Sequence, residues 1–282
     1  MTAVGRVTWN GLQMGPGSQY AISDLPDLDD LPDVRAYDVD RTGAHGTWTG
    51  PDYVGARTIT MGITLRGTDA ADLGRLTAAL QRAMQPSPTP LQLQFTDRQL
   101  MVWAKVRRRR IPYDATSLQR VAVAQVQFYA ADPRVYSLSE HQGGPVAAYA
   151  PASGRSYSRT YPWVYGTGGT GGTVTCVNAG GSETYPVLRI DGPCVRPSVQ
   201  LSETGAVLQL NNTLLPGEFV LINTGSRAVL AGGATPRRDW VIPGSDWPVM
   251  QPGSNTFIYR SDPYGDGSIP TYLTVTWRDA TL

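Results

Sequence analysis

The sequence predicts a mainly β protein in which an α+β unit precedes an all-β unit. Short stretches of alternating apolar and polar residues recur along the chain, and 31 Gly and 22 Pro residues interrupt them. One segment only has the three-to-four-residue spacing of an amphipathic helix. A length of 282 residues is sufficient for two units that each contain a hydrophobic core.

Charge and hydropathy argue against several functional classes. The chain has 24 basic and 23 acidic side chains and a formal charge of +1, so it lacks the electrostatic signature of a DNA-reading protein. No apolar run is long enough for a membrane span, and residues 1–10 lack the pattern of a secretory signal.

The first unit is predicted over residues 1–136. Its clearest strand lies within residues 55–67, and its helix covers residues 69–85, with Thr68 as the N-terminal cap and Pro86 as the stop. Apolar side chains alternate with threonines in the strand and form one stripe on the helix. They are Ile59, Met61, Ile63 and Leu65 in the strand, and Leu73, Leu76, Leu80 and Met84 in the helix.

Another strand of this unit is predicted over residues 118–130. Alternation leads us to expect that Val121 and Val123 face inward, together with either Val126 or Phe128. One helix laid against such a strand-rich layer is a plausible α+β unit.

Residues 137–172 differ in composition and are predicted to be a Gly-, Ala- and Tyr-rich linker or arm. Four aromatic residues in this range indicate that part of it packs against something. They are Tyr157, Tyr161, Trp163 and Tyr165.

The second unit is predicted over residues 173–282. Short strands follow one another there with regular turn signals and no helical pattern, which is typical of a β-sandwich. In the last strand Leu273, Val275 and Trp277 alternate with threonines and are expected to face the core.

The sequence offers little for catalysis, and we expect no enzyme activity, no cofactor and no metal. His45 and His141 have no evident nucleophile beside them. Cys176 and Cys194 lie in neighbouring predicted strands and might meet, but buried reduced thiols are the favoured interpretation. Glycoside hydrolysis needs two carboxylic acids close together, and the sequence contains several candidates for such a pair. They are Glu183, Glu203, Glu218, Asp262 and Asp266.

Two Asp-containing segments have the composition of calcium loops without the required spacing. Residues 24–40 are acidic but lack the Gly and the terminal Glu of a helix-loop-helix site, which favours a solvated or interface loop. Residues 262–267 are interpreted as a tight turn between strands.

A run of four arginines, Arg107–Arg110, is the sharpest charge feature. It continues a predicted strand, so alternation would place two arginines on each face. The run suggests either a contact between protein chains, complementary to the acidic segment, or an edge strand protected by charge. The candidate inter-subunit contacts are Asp27, Asp29, Asp30, Asp33, Arg107, Arg108, Arg109 and Arg110.

The order of several motifs resembles that of siphophage distal tail proteins, the minor tail or baseplate hub family. In the first half these are GAHG at 43–46, GARTIT at 55–60, the Leu-striped helix and ADPRVY at 131–136. In the second half they are NAG at 178–180, YPVLRIDG at 185–192, LPGE at 215–218 and WPVMQPGSN at 247–255. Residues 137–172 are not covered by the resemblance.

The resemblance implies a split β-barrel with one helix, followed by a galectin-like β-sandwich. It also implies a virion protein, assembled in the host cytoplasm, that forms a hexameric ring at the tail tip of a long non-contractile tail. The implied partners are the tail tube protein, the tail tip protein, the tape-measure protein and a receptor-binding protein, with DNA only in transit. A closed ring uses complementary patches on successive copies, which opposite charges would provide.

Two other functional classes stay open. One is a carbohydrate-binding sandwich for host-surface attachment, in which exposed aromatic rings stack on sugars. Its candidate platform residues are Trp240, Trp247, Tyr259 and Tyr264. The other is a cell-wall hydrolase, for which the sequence offers no credible site.

Overall fold

A computed structural model describes residues 5–112, 120–149, 171–265 and 268–282. The chain divides into two compact units, Met1–Leu138 and Ser139–Thr281. Both units are built mainly from β-strands, and the one α-helix of the described residues lies in the first, as the sequence predicts.

The described residues of the first unit form twelve strands and the helix. They are β1 (Arg6–Trp9), β2 (Leu12–Met14), β3 (Tyr20–Asp24), β4 (Val34–Arg35), β5 (Val39–Asp40), β6 (Thr47–Trp48), β7 (Tyr53–Val54), β8 (Arg57–Arg66), α1 (Ala70–Ala83), β9 (Thr89–Gln94), β10 (Gln99–Arg110), β11 (Val121–Ala130) and β12 (Val135–Ser137).

Seven strands of this unit form an almost closed antiparallel barrel. Their order is β2-β1-β9-β10-β11-β8-β3, so the two end strands are consecutive in the chain. A short loop joins them, and within it the backbone N–H of Gly15 donates to the Tyr20 carbonyl at 2.8 Å. The path therefore returns to its start, and the predicted split barrel is confirmed.

Helix α1 packs its apolar stripe into the barrel core, where Leu73, Leu76 and Leu80 are buried. Its N-terminal cap is Asp69 rather than the expected Thr68, because the Asp69 carboxylate accepts a 2.8 Å hydrogen bond from the Asp72 N–H. At the other end the indole N–H of Trp9 donates to the Ala83 carbonyl at 3.1 Å, which satisfies an orphan acceptor of the last turn.

The inward face of β11 differs from the prediction. Val126 and Phe128 are fully buried, but Val121 and Val123 are exposed. Because side chains alternate with a period of two, burial of Val126 and Phe128 also places Ala122 and Ala124 inside. The two β-branched residues at the start of the strand therefore face outward.

The second unit is a sandwich of a six-stranded and a five-stranded antiparallel sheet. The strands of these two sheets are β13 (His141–Ala147), β14 (Thr173–Asn178), β15 (Val187–Asp191), β16 (Cys194–Leu201), β17 (Val207–Gln209), β18 (Thr213–Leu214), β19 (Phe219–Asn223), β20 (Ala228–Ala231), β21 (Thr235–Pro236), β22 (Gly253–Asp262) and β23 (Tyr272–Trp277). A short 3-10 helix covers Arg238–Trp240, and a last strand, β24 (Ala280–Thr281), belongs to neither sheet. The predicted galectin-like sandwich is confirmed.

Strand β13 occupies part of the range predicted to be linker. It pairs with β23, and its register shifts between Gly143 and Val146. Two glycines and a proline inside the strand hide its alternation, which is why the sequence pattern misses it. The four aromatic residues predicted to pack in this range, at positions 157 to 165, lie outside the described residues.

Candidate assembly surfaces

The acidic segment, residues 24–33, is bound to the barrel by a hydrogen bond and an ion pair of its own side chains. The Asp27 carboxylate accepts from the Thr60 backbone N–H at 3.0 Å in β8. Asp29 forms an ion pair with Arg98 at 2.5 Å. Two of the four acidic residues predicted to contact another subunit are thus already engaged within the chain.

Arg57 is the buried anchor of this segment, with only 2% of its surface exposed. Its Nη1 donates to the carbonyls of Leu28 and Asp30 at 2.9 and 2.7 Å, and its Nε donates to Pro133 O at 2.8 Å. Burial lowers the pKa of Arg57 below its ordinary value, while the nearby Asp29 and Asp30 oppose that shift. From the sequence alone, Arg57 is recognisable only as a charged residue at the start of a predicted strand.

The arginine run lies at the end of β10, and all four residues are exposed. A β-bulge at Arg107 interrupts the alternation, because Val106 pairs with Phe128 and Arg108 with Gln127. Beyond Ala104 the described pairing of β10 is with β11 alone. The run therefore lies on a sheet edge, where charge discourages unwanted strand pairing.

Two of these arginines have partners within the chain. Arg107 stacks on the Tyr129 ring at 3.5 Å from its centroid. Arg109 donates to the carbonyls of Gln81 and Met84 at 2.8 and 3.3 Å, so it neutralises the negative end of α1. Arg108 and Arg110 make no such contact among the described residues, and they carry the free charge of the run.

Residues 33–55 form a two-stranded ribbon, here called the arm ribbon. At its base Val34 pairs with Val54, and further out Val39 pairs with Trp48. The backbone N–H of Gly55 donates to Asp33 O at 2.7 Å, and that of Gly50 donates to the Asp38 carboxylate at 2.9 Å. Gly50 is required here, since a Cβ would lie 2.0 Å from the Tyr37 carbonyl oxygen.

The arm ribbon exposes large apolar side chains. Trp48 is 64% exposed and Val39 63% exposed, although the two residues are cross-strand partners. Tyr37 and Tyr53 form an edge-to-face pair with centroids 5.9 Å apart. A concentration of exposed apolar side chains in one segment is typical of a protein–protein contact surface.

The aromatic residues proposed as a sugar platform do not form one exposed surface. Tyr259 is 0% exposed, and its hydroxyl lies 2.6 Å from Thr271 Oγ1 inside the sandwich core, so it is no stacking platform. Trp240 and Trp247 are partly buried and pack against that core. Tyr264 is half-buried in the turn that follows β22.

The residues considered for catalysis are spread over the structure. His45 lies at the exposed tip of the arm ribbon. His141 stacks on Trp277 and lies 3.2 Å from the Asp279 carboxylate. Glu203 accepts from the Thr256 N–H, Glu218 accepts from the Leu215 N–H, and Asp262 pairs with Arg196. Asp266 lies outside the described residues.

The two cysteines are free and buried. Cys176 pairs across the sheet with Asn255, whereas Val195, next to Cys194, pairs with Asp262 seven positions further along β22. At ~3.3 Å per residue this offset is roughly 23 Å, far beyond the reach of a disulfide. The preference for separate reduced thiols is confirmed.

Across the described ranges, no group of three or more His, Cys, Asp or Glu side chains could hold a metal ion. In the same residues no helix has the length and apolar character needed to cross a membrane.

Comparison with known proteins finds a family similarity within the second unit. Residues 179–279 match the family of siphovirus-type tail components, in its C-terminal domain. This part of the chain is therefore similar to a siphovirus-type tail component domain. No curated protein matches the chain at a significant level.

Solved structures extend the similarity of fold to the whole chain. The SPP1 Dit protein, described as a paradigm of hub adsorption apparatus in phages that infect Gram-positive bacteria, is 13% identical with a TM-score of 0.65. The match covers 99% of this chain and 100% of that chain. Chains of the phage P2 baseplate in its activated conformation, with Ca and with Sr, are 10% and 9% identical, with TM-scores of 0.58 and 0.54 and 98% of each chain covered. The resemblance to siphophage distal tail proteins is confirmed.

Proposed function

We propose that the chain forms a hexameric ring that acts as the hub between tail tube and tail tip of a siphophage. The observation that carries the proposal is the end-to-end agreement of both units with the fold of the SPP1 Dit hub protein. The tail-component domain over residues 179–279 supports it independently. In this role the ring lumen passes DNA and the tape-measure protein, and the chain performs no catalysis.

The arm ribbon supports a role in assembly. Its large apolar side chains are exposed, and covering them would remove that area from water. Neighbouring copies of the chain, the tail tube protein and the tail tip protein are the proposed partners. A receptor-binding protein is a further proposed partner, since the similar SPP1 Dit protein is described as a hub of an adsorption apparatus.

The proposed contact between successive copies is an attraction between acidic residues of one copy and arginines of the next. Of the eight residues predicted for it, four have side chains that form no described hydrogen bond, ion pair or ring contact. They are Asp30, Asp33, Arg108 and Arg110. We expect these residues to meet head to tail, the acidic pair of one copy against the arginine pair of the next. Asp27, Asp29, Arg107 and Arg109 would contribute mainly by holding the two surfaces in place.

Mass photometry of the purified protein tests the ring. The expected species has six times the chain mass, and the double variant Arg108→Glu/Arg110→Glu is expected to remain monomeric with unchanged circular dichroism. Arg196→Glu, an exposed arginine of the second unit, is the matched control and should leave the ring intact. A ring that persists in the double variant contradicts the charge contact.

Location requires a separate experiment. Antibodies against the purified chain, detected with gold on intact phage particles, should label the end of the tail remote from the capsid. Labelling along the tube or on the capsid contradicts the assignment as a tail-tip hub, whatever the oligomeric state in solution.

A further inference from the structure

The outer face of the six-stranded sheet contains an open groove of about 520 Å³. Ligand-binding clefts typically enclose about 300–1,000 Å³. All the residues that line the groove belong to β13, β15, β19 and β23, within the second unit. None of them was singled out as a candidate by the sequence.

Strand register places polar and apolar side chains in rows across this groove. Asp191 of β15 lies between Tyr272 of β23 and Phe219 of β19. In the next row Arg189 lies between Thr274 and Leu221. Cross-strand partners point to the same face of a sheet, so these six side chains form one continuous patch.

Arg189 is held rigidly at the centre of the patch. Its Nε donates to both carboxylate oxygens of Asp191 at 3.0 and 3.1 Å, and its Nη2 donates to Oδ1 at 2.7 Å. The guanidinium also lies over the Phe219 ring at 4.1 Å from its centroid. Its Nη1 has no partner among the described residues, so two fixed N–H donors are available to a ligand.

We propose that this groove binds a neutral saccharide. A sugar ring presents apolar C–H faces and an array of hydroxyls, and the patch offers matching groups for both. Tyr272, which is 38% exposed, and Leu221 provide apolar contact area, whereas Arg189, Thr274 and Thr276 provide hydrogen-bonding groups. Because Asp191 and Phe219 fix Arg189 before binding, little side-chain entropy is lost on ligand contact.

The charge of the groove disfavours anionic ligands, and its topology disfavours extended peptides. Asp191 neutralises Arg189, and the groove has no other charged lining residue, so a phosphate or sulfate gains no net attraction. Strand β15 is paired with β19 on one side and β23 on the other. An extended peptide therefore finds no free backbone edge here to which it could add as a strand.

The site does not depend on ring formation, since all its residues come from one unit of one chain. The proposed carbohydrate site is thus the groove on the six-stranded sheet and not the four aromatic residues suggested by the sequence.

The test is binding of the full-length protein to an array of neutral hexose and N-acetylhexosamine oligosaccharides, followed by calorimetry with the best-bound oligosaccharide. Arg189→Met and Thr274→Val should each weaken binding about tenfold or more, since each removes hydrogen bonds to the ligand. Arg196→Met is the matched control, because Arg196 forms a similar exposed ion pair with Asp262 on the other sheet.

Unchanged circular dichroism in both groove variants is required, and it is expected because the substituted side chains lie on the surface. The proposal is overturned if no neutral oligosaccharide binds, if Arg189→Met binds as tightly as the unmodified chain, or if Arg196→Met is weakened equally. Binding only of phosphorylated polymers or of peptides also overturns it.

Discussion

Arg57 in the first unit and Arg189 in the second differ in burial, and their roles differ accordingly. Arg57 lies inside the first unit and gives its hydrogen bonds to three backbone carbonyls, so it organises the path of the chain. Arg189 lies on the second unit with 44% of its side chain exposed, and it pairs with a carboxylate that is itself 33% exposed. The first is part of the fold, and the second is a fixed group on a surface.

The largest expected effect is that of Arg57→Met. The variant leaves three carbonyl oxygens without this donor, one of them buried and two partly buried, at a cost of about 3 kcal/mol or more in the free energy of unfolding. Urea denaturation measures the loss, and hydrogen exchange should localise it to residues 27–33 and 57–66. Arg41→Met, on the exposed arm ribbon, is the control. A loss below about 1 kcal/mol would show that Arg57 is no anchor.

Tyr259 has a buried but uncharged hydroxyl, so its removal measures the contribution of a buried hydrogen bond without a charge. Tyr259→Phe removes the hydroxyl that lies 2.6 Å from Thr271 Oγ1, and should cost about 1–2 kcal/mol in the same measurement. Sugar binding should not change, because Tyr259 is buried. A selective loss of sugar binding in this variant would indicate that Tyr259 contacts the sugar after all.

Arg189→Met is expected to leave stability almost unchanged, within about 1 kcal/mol, because exposed ion pairs contribute little. The expected change appears in ligand binding instead. A stability loss as large as that of Arg57→Met would mean that Arg189 is also a structural residue, and the contrast between the two arginines would fail.

The smallest effect is an acid sensitivity at the start of α1. Hydrogen bonds from the Thr68 N–H, and then from Arg75 and Gln19, lower the pKa of Asp72 from 3.8 to about 2. A lowered folded-state pKa means that this contribution is complete above pH 3.8 and is lost as the pH falls through about 2. Urea midpoints measured across that interval should fall less in Asp72→Asn than in the unmodified chain. An identical slope in both would exclude Asp72 as the cause.

The sequence predicts correctly those elements whose apolar residues recur with the regular spacing of a strand or a helix and are also the buried ones. The residues of β8 and α1 are examples, because each has an unbroken apolar series. Tyr259 shares the alternation of Phe257, and this signal was sufficient to place both rings inside. The usual association of aromatic residues with sugar binding predicts instead that Tyr259 is exposed, and this prediction is wrong.

Other features depend on pairings between distant strands, which no local pattern encodes. Arg109 reaches the end of α1 only because β10 passes beside that helix. The groove around Arg189 requires the registers of three strands that lie far apart in the chain. Such sites follow from topology, so they become visible only once the fold is known.

The separation of the two cysteines has a practical consequence. Cys176 and Cys194 are the only thiols of the chain, and burial raises the pKa of Cys176 to about 11 and also raises that of Cys194. Both thiols are thus unreactive toward maleimides at neutral pH. A cysteine introduced on the arm ribbon, for example at Thr47, would be the one accessible labelling site. A single fluorophore or gold cluster attached there would report directly on which partner covers the ribbon during tail assembly.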